Sequence, residues 1–120
     1  MKIEEARLDM GESAVHVLPK SDRLTVEVAG RISVDSSPDL RTALLELLCR
    51  SKAPVMAIDM SAVTYLDMSG LATLLEALRA ARARSVKLQI SGINGEARNL
   101  AEIAQLDTIF RAWGSEVEFQ

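Results

Sequence analysis

At 120 residues and a formal net charge of −3, the chain fits one domain with a single core. Hydrophobic residues at 48% and charged residues at 26% are globular usage, which excludes disorder. Aromatic residues at 3% and a pI near 5.2 argue against stacking on bases or holding a phosphate backbone, so no direct nucleic-acid contact is expected. Residues 1–12 are polar and charged and read as an N-terminal arm, ahead of a single domain over residues 13–120. They contain no apolar signal region, and no later run approaches the ~18–20 residues of a membrane span, so no membrane insertion is expected.

Val15 and Val17 alternate around His16, a short strand with the histidine facing solvent. The stretch Pro19-Lys20-Ser21-Asp22 is turn chemistry. Leu24, Val26 and Val28 follow at period two, which predicts a half-buried strand paired with its predecessor as a hairpin and ended by Gly30. Ser37 and Pro38 read as N-cap and first residue of a helix over 38–51, with Ser36 as the neighbour of the cap. Leu40, Ala43, Leu44, Leu47 and Leu48 give that helix one apolar face. Pro54 prevents its continuation. Val55 to Ile58 is apolar without alternation, the pattern of a central strand covered on both faces.

A second helix over 69–83 carries a stripe of Leu71, Leu74, Leu75 and Leu78, with Arg79, Arg82 and Arg84 toward its C-terminal end as a solvated face. Val86, Leu88 and Ile90 alternate again as a strand. Ala97, Leu100, Ala101 and Ala104 predict a third helix, and residues 110–113 a last short strand with Phe110 and Trp113 in the core. Strands alternating with helices imply an α/β layer fold with right-handed crossovers. The three strands around Val26, Ile58 and Leu88 are expected in one mixed sheet, with both leucine stripes on the same face.

Little enzymatic chemistry is available. The only histidine is His16 and the only cysteine is Cys49, so a nitrogen–sulfur metal centre and a disulfide framework both lack ligands. A single thiol also fits a reducing cytoplasm, where Cys49 is an inert structural residue. No phosphate loop, dinucleotide fingerprint or nucleophile elbow is present. No cofactor, metal or catalytic residue is therefore expected.

The unusual stretch is Asp59-Met60-Ser61-Ala62-Val63-Thr64-Tyr65-Leu66-Asp67-Met68-Ser69-Gly70-Leu71, where a buried strand gives way to a helix start. Two roles are open for its polar residues. Asp67 or Ser69 can cap the helix, or the Ser69 hydroxyl can be a regulated acceptor at the positive end of the helix dipole. This run resembles the signature of STAS domains, the sulfate transporter and anti-sigma factor antagonist domains. Their pattern is a strand ending in aspartate and serine, then valine, then aspartate, two serines and glycine at the second helix. Gly30-Arg31-Ile32, Asp35 and Leu106-Asp107-Thr108-Ile109-Phe110 extend the resemblance over residues 14–113. Met68 stands where the family pattern has the first serine, leaving Ser69 as the single acceptor.

The resemblance implies a small mixed sheet with helices packed on one side. It also implies a non-enzymatic anti-sigma factor antagonist of a partner-switching system that regulates transcription. Ser69 matches the residue phosphorylated in that branch. The implied partners are an anti-sigma factor that is also a serine kinase of the histidine-kinase-like ATPase type, and a phosphatase. The implied contact surface is Asp35, Ser36, Asp67, Met68, Gly70 and Leu71; because the core consumes most of the aliphatic stripes, the free chain is expected to be a monomer or weak dimer. The alternative is a STAS docking subunit of a lipid-transport ABC complex, which needs no phosphorylation.

Overall fold

Alternation of period two in the strands and leucines three and four apart in the helices build two layers that share one core. The computed structural model describes residues 3–119. In chain order the elements are β1 (Ala6–Asp9), β2 (Ser13–Pro19), β3 (Leu24–Ile32), α1 (Ser37–Arg50), β4 (Val55–Leu66), α2 (Met68–Ala83), β5 (Lys87–Ile93), α3 (Gly95–Ile103), α4 (Leu106–Ala112) and β6 (Glu116–Phe119). The six strands form one sheet in sequence order. The first three pair antiparallel, because turns of a few residues join them. From β3 onward the pairs are parallel, because each connection is helical and returns the chain to the same end.

Val15, Val17, Leu24, Val26, Val28, Met56, Ile58, Leu88 and Ile90 are all buried on one face of this sheet. Leu40, Leu44 and Leu48 of α1 and Leu71, Leu74 and Leu78 of α2 are buried against them. The expected mixed sheet and the shared face of the two leucine stripes are both present. Ala97, Ala101, Leu106 and Phe110 complete the core from α3 and α4.

Several local expectations differ from the structure, beginning with β3, which runs past Gly30 to Ile32. Residues 6–9, read as part of an arm, pair with β2 as the edge strand of the sheet. The strand begun at Val55 continues for 12 residues, and Val55, Ala57 and Asp59 are only half-buried, so its second face is not covered. Its brief apolar run resembled a doubly buried strand because the small Ala57 keeps that face apolar without a helix over it. Residues 110–112 end a helix, not a strand: Leu106 and Phe110, one turn apart, are the pair that α4 buries. The last strand begins at Glu116 instead. Trp113 is correspondingly excluded from the core at 36% exposure, with the Arg82 guanidinium 5.1 Å from its ring centroid.

His16 is half-buried, and both its ring nitrogens meet carboxylates: Nδ1 lies 3.0 Å from Glu27 and Nε2 3.1 Å from Glu5. Cys49 is exposed near the end of α1, and Arg84 Nη2 lies 3.3 Å from its sulfur.

Candidate functional site

The parallel strands β3 and β4 end side by side, with Ile32 in register with Leu66. The chain then turns directly into α2. Asp67 adopts the extended backbone of an N-cap, and its own N–H donates to the Ile32 carbonyl at 3.2 Å. That bond ties the start of the helix to the end of β3. Gly70 makes the approach possible. A Cβ at Gly70 would lie 2.4 Å from Leu66 Cδ1, 2.7 Å from Ile32 Cγ2 and 3.2 Å from the Ile32 carbonyl oxygen.

Asp67 gathers the first turn of α2 around one carboxylate. Its Oδ1 accepts from the Ser69 N–H at 3.0 Å, the Gly70 N–H at 3.2 Å and the Ser69 hydroxyl at 2.5 Å. The Leu71 N–H donates to the Asp67 carbonyl at 3.0 Å, which closes the turn. Burial raises the carboxyl's pKa, but the Ser69 hydroxyl and the amides of Gly70, Ser69 and Val34 outweigh it, and the net shift is downward. Asp67 therefore stays ionised at neutral pH. Of the two candidates for the cap that spacing left open, only one serves. Asp67 is the cap, and Ser69 is free of capping duty with its proton directed at Asp67. Ser69 itself is half-buried at the rim, and Thr73 Oγ1 donates back to its carbonyl at 3.1 Å.

The expected contact surface is only partly a surface. Asp35 and Met68 are exposed, the latter at 63%. Asp67 is half-buried. Ser36, Gly70 and Leu71 are buried, so none of the three can present a side chain to a partner. Ser36 serves the loop before α1 instead. Its hydroxyl accepts from the Ser33 N–H at 2.9 Å and donates to the Arg31 carbonyl at 2.7 Å. It also takes the N-cap position expected for Ser37, without a side-chain cap bond. Ser33 in turn donates to Glu12 at 2.9 Å and accepts from the Asp35 N–H at 3.2 Å. The loop that carries Asp35 is thereby wired to the β1–β2 turn.

Two exposed features near the site escape sequence reasoning. Val34 is 69% exposed, and its amide points at Asp67. Tyr65 is exposed at the end of β4 with the Arg31 guanidinium 4.1 Å from its ring centroid. A lone valine between polar residues and a tyrosine in a strand carry no pattern that marks them. Around Ser69 the surface therefore combines apolar Val34 and Met68 with the exposed carboxylate of Asp35, while Tyr65 and Arg31, in register with each other, alternate with the helix-facing Leu66 and Ile32 and so lie on the other face of the sheet. Exposed apolar groups gathered in this way suit contact with another protein. Among the described residues no cluster of three or more histidine, cysteine or acidic side chains is arranged to hold a metal ion. No helix among them is long and apolar enough to cross a membrane.

Comparison with known proteins bears on the same region. A family profile described as Mlab, STAS domain, matches residues 15–111. The anti-sigma-B factor antagonists of Listeria monocytogenes and Listeria innocua are each 30% identical to this chain over 98 residues, covering 82% of it and 85% of each relative. Among solved structures, an anti-sigma factor antagonist from Mycobacterium paratuberculosis superposes with a TM-score of 0.69 at 22% identity, covering 82% of both chains. The Bacillus cell fate determinant SpoIIAA in its phosphorylated form superposes with a TM-score of 0.64 at 10% identity, covering 86% of this chain and 89% of the other.

Proposed function

We propose that this chain, which belongs to the STAS domain family, is an anti-sigma factor antagonist. It would be a non-enzymatic, cytoplasmic protein-binding module of a partner-switching system, with Ser69 as the phosphorylated residue. The observation that carries this reading is the Ser69 hydroxyl, held by Asp67 beside the exposed Val34 and Met68. Its similarity to the Listeria antagonists supports the choice of partner class.

In the unmodified state Val34 and Met68 offer the anti-sigma factor an apolar contact, and the Ser69 hydroxyl keeps its proton and donates it in a hydrogen bond to Asp67. A depressed pKa makes Asp67 a poor store for a proton, so its part is to orient the hydroxyl with lone pairs toward solvent. The anti-sigma factor, acting as a serine kinase, moves the terminal phosphoryl group of ATP to Oγ, with ADP leaving and the hydroxyl proton released. Phosphoserine brings about −1.5 to −2 charges and removes the donor that Asp67 held. The phosphate then faces the Asp67 carboxylate across a short gap, and the amides of Ser69 and Gly70 are already committed to that carboxylate.

A helix N-terminus still favours an anion, so the domain stays folded and the change acts at the surface. Desolvating that charge inside an interface is unfavourable. A penalty of ~3 kcal/mol weakens binding more than a hundredfold. Hydrolysis by a phosphatase restores the hydroxyl and the contact.

The test is binding to the anti-sigma factor by the parent, Ser69→Ala and Ser69→Asp, with phosphate mapping by mass spectrometry. Ser69→Ala is expected to bind constitutively. Ser69→Asp is expected to bind poorly while melting close to the parent. An unmodified Ser69 together with equal binding by both variants would refute the switch and favour the docking-subunit alternative.

A further inference from the structure

The sheet has two edges, and β1 is one of them. Half of its backbone N–H and C=O groups therefore point outward with no strand beside them. Its side chains divide cleanly between the two faces. Ala6 and Leu8 lie opposite Val17 and Val15 on the helix-covered side, and Arg7 and Asp9 lie opposite His16 and Ala14 on the other. Leu8 is in line with core valines, yet it is 44% exposed. The reason is that α1 does not reach over it: a groove runs between β1 and α1, lined by apolar side chains such as Ile3, Leu8 and Leu47 and also by the charged Glu4, Glu46 and Arg50.

We propose that this edge is the contact between two copies of the chain, with β1 pairing antiparallel with β1 of the second copy about a two-fold axis through Leu8. The occupant follows from self-complementarity. A two-fold axis normal to the sheet keeps the helices of both copies on one side and sets residues of the same face opposite each other. With the axis at Leu8, Leu8 meets its own copy and Ala6 meets Met10 on the helix side. On the other face Arg7 meets Asp9 of the second copy, and Asp9 meets its Arg7. Two opposite-charge pairs and an apolar row form together.

Neighbouring registers lose this match. An axis at Arg7 sets Arg7 against itself and Glu5 against Asp9. An axis at Asp9 sets two carboxylates together, and an axis at Ala6 brings Glu4 against Leu8. The four-residue strand and its charges thus discourage other pairings while admitting this one. Each groove would be extended across the axis by Leu8 and Met10 of the second copy. Ser69 lies at the ends of β3 and β4, two strands or more from this edge.

Sedimentation equilibrium on the full chain tests the register. The parent is expected to dimerise reversibly. Arg7→Asp and Asp9→Arg should each weaken association at least about tenfold, since each replaces two attractive pairs by two repulsive ones. The doubly exchanged Arg7→Asp/Asp9→Arg protein should recover the parental dimer. In a Cys49→Ser background, Leu8→Cys should cross-link to its own copy on mild oxidation, because residues opposed across an antiparallel pair are within disulfide reach. Circular dichroism confirms that each variant is folded. A parent that remains monomeric at about 100 μM would overturn the proposal and leave the edge to a strand from another protein. A dimer indifferent to the charge exchange, or one in which Leu8→Cys does not cross-link, would place the contact elsewhere and overturn it equally.

Discussion

Gly70→Ala isolates the packing that seats Ser69. On helix propensity alone the change should stabilise α2 by ~1 kcal/mol. The backbone at this position is ordinary, so no strain of a left-handed conformation enters. Opposing the gain, the new methyl would stand 2.4 Å from Leu66 Cδ1 and 2.7 Å from Ile32 Cγ2. The Leu66 side chain can rotate, but Ile32 and its carbonyl belong to a central strand, and that carbonyl already accepts from Asp67. Relief therefore requires α2 to lift from the sheet, which stretches the bond that anchors its cap. Overpacking costs ~1–3 kcal/mol, and contacts this short against strand backbone fall in the upper part of that range, about 2–3 kcal/mol, so the net effect after the propensity gain should be a loss of ~1–2 kcal/mol. With a urea dependence of ~2 kcal/mol per molar, the middle of the range for small domains, the unfolding midpoint should fall by roughly 0.5–1 M. Urea denaturation followed by circular dichroism reads this directly, with Ala72→Gly on the exposed face of the same helix as the propensity control. A Gly70→Ala protein as stable as the parent, or more stable, would refute the close-approach argument.

Asp67→Ala should lose ~1–2 kcal/mol at pH 7 and Asp67→Asn less, because the amide oxygen still caps. The Asp67 carboxyl is lower in the folded state than its unfolded value near 4, so its stabilisation is present above that pH and is lost as pH falls through the folded value. The penalty of Asp67→Ala in urea melts should accordingly shrink in acid. Leu44→Ala and Leu74→Ala remove side chains with no exposed surface and should each cost ~2–5 kcal/mol in the same assay. Ser36→Ala leaves the Arg31 carbonyl and the Ser33 N–H without their buried partner, a loss of ~1–3 kcal/mol that denaturant melts would detect.

Local rules were enough to read the layers of this fold. The alternation of Leu24, Val26 and Val28 and the leucine spacing of both long helices each depend on one face of one element, and that information lies within a few consecutive residues. The cap at Asp67 and the hydroxyl at Ser69 were legible for the same reason, since capping acts over two or three positions. What the chain alone did not disclose depends on distant partners. Residues 6–9 are polar and look like an arm until β2 supplies their hydrogen bonds. Ser36 looked like a surface residue, but its two bonds reach Ser33 and Arg31 only because the loop folds back on itself. Gly70 and Leu71 belong to a motif that reads as a contact site, yet close packing on Ile32 and Leu66 buries them. Trp113 reads as a core residue because aromatics are so few, but the helical turn from Leu106 to Phe110 leaves it facing outward. Exposure is decided by what lies across the interface, and only the assembled tertiary structure fixes which side of each element has a neighbour.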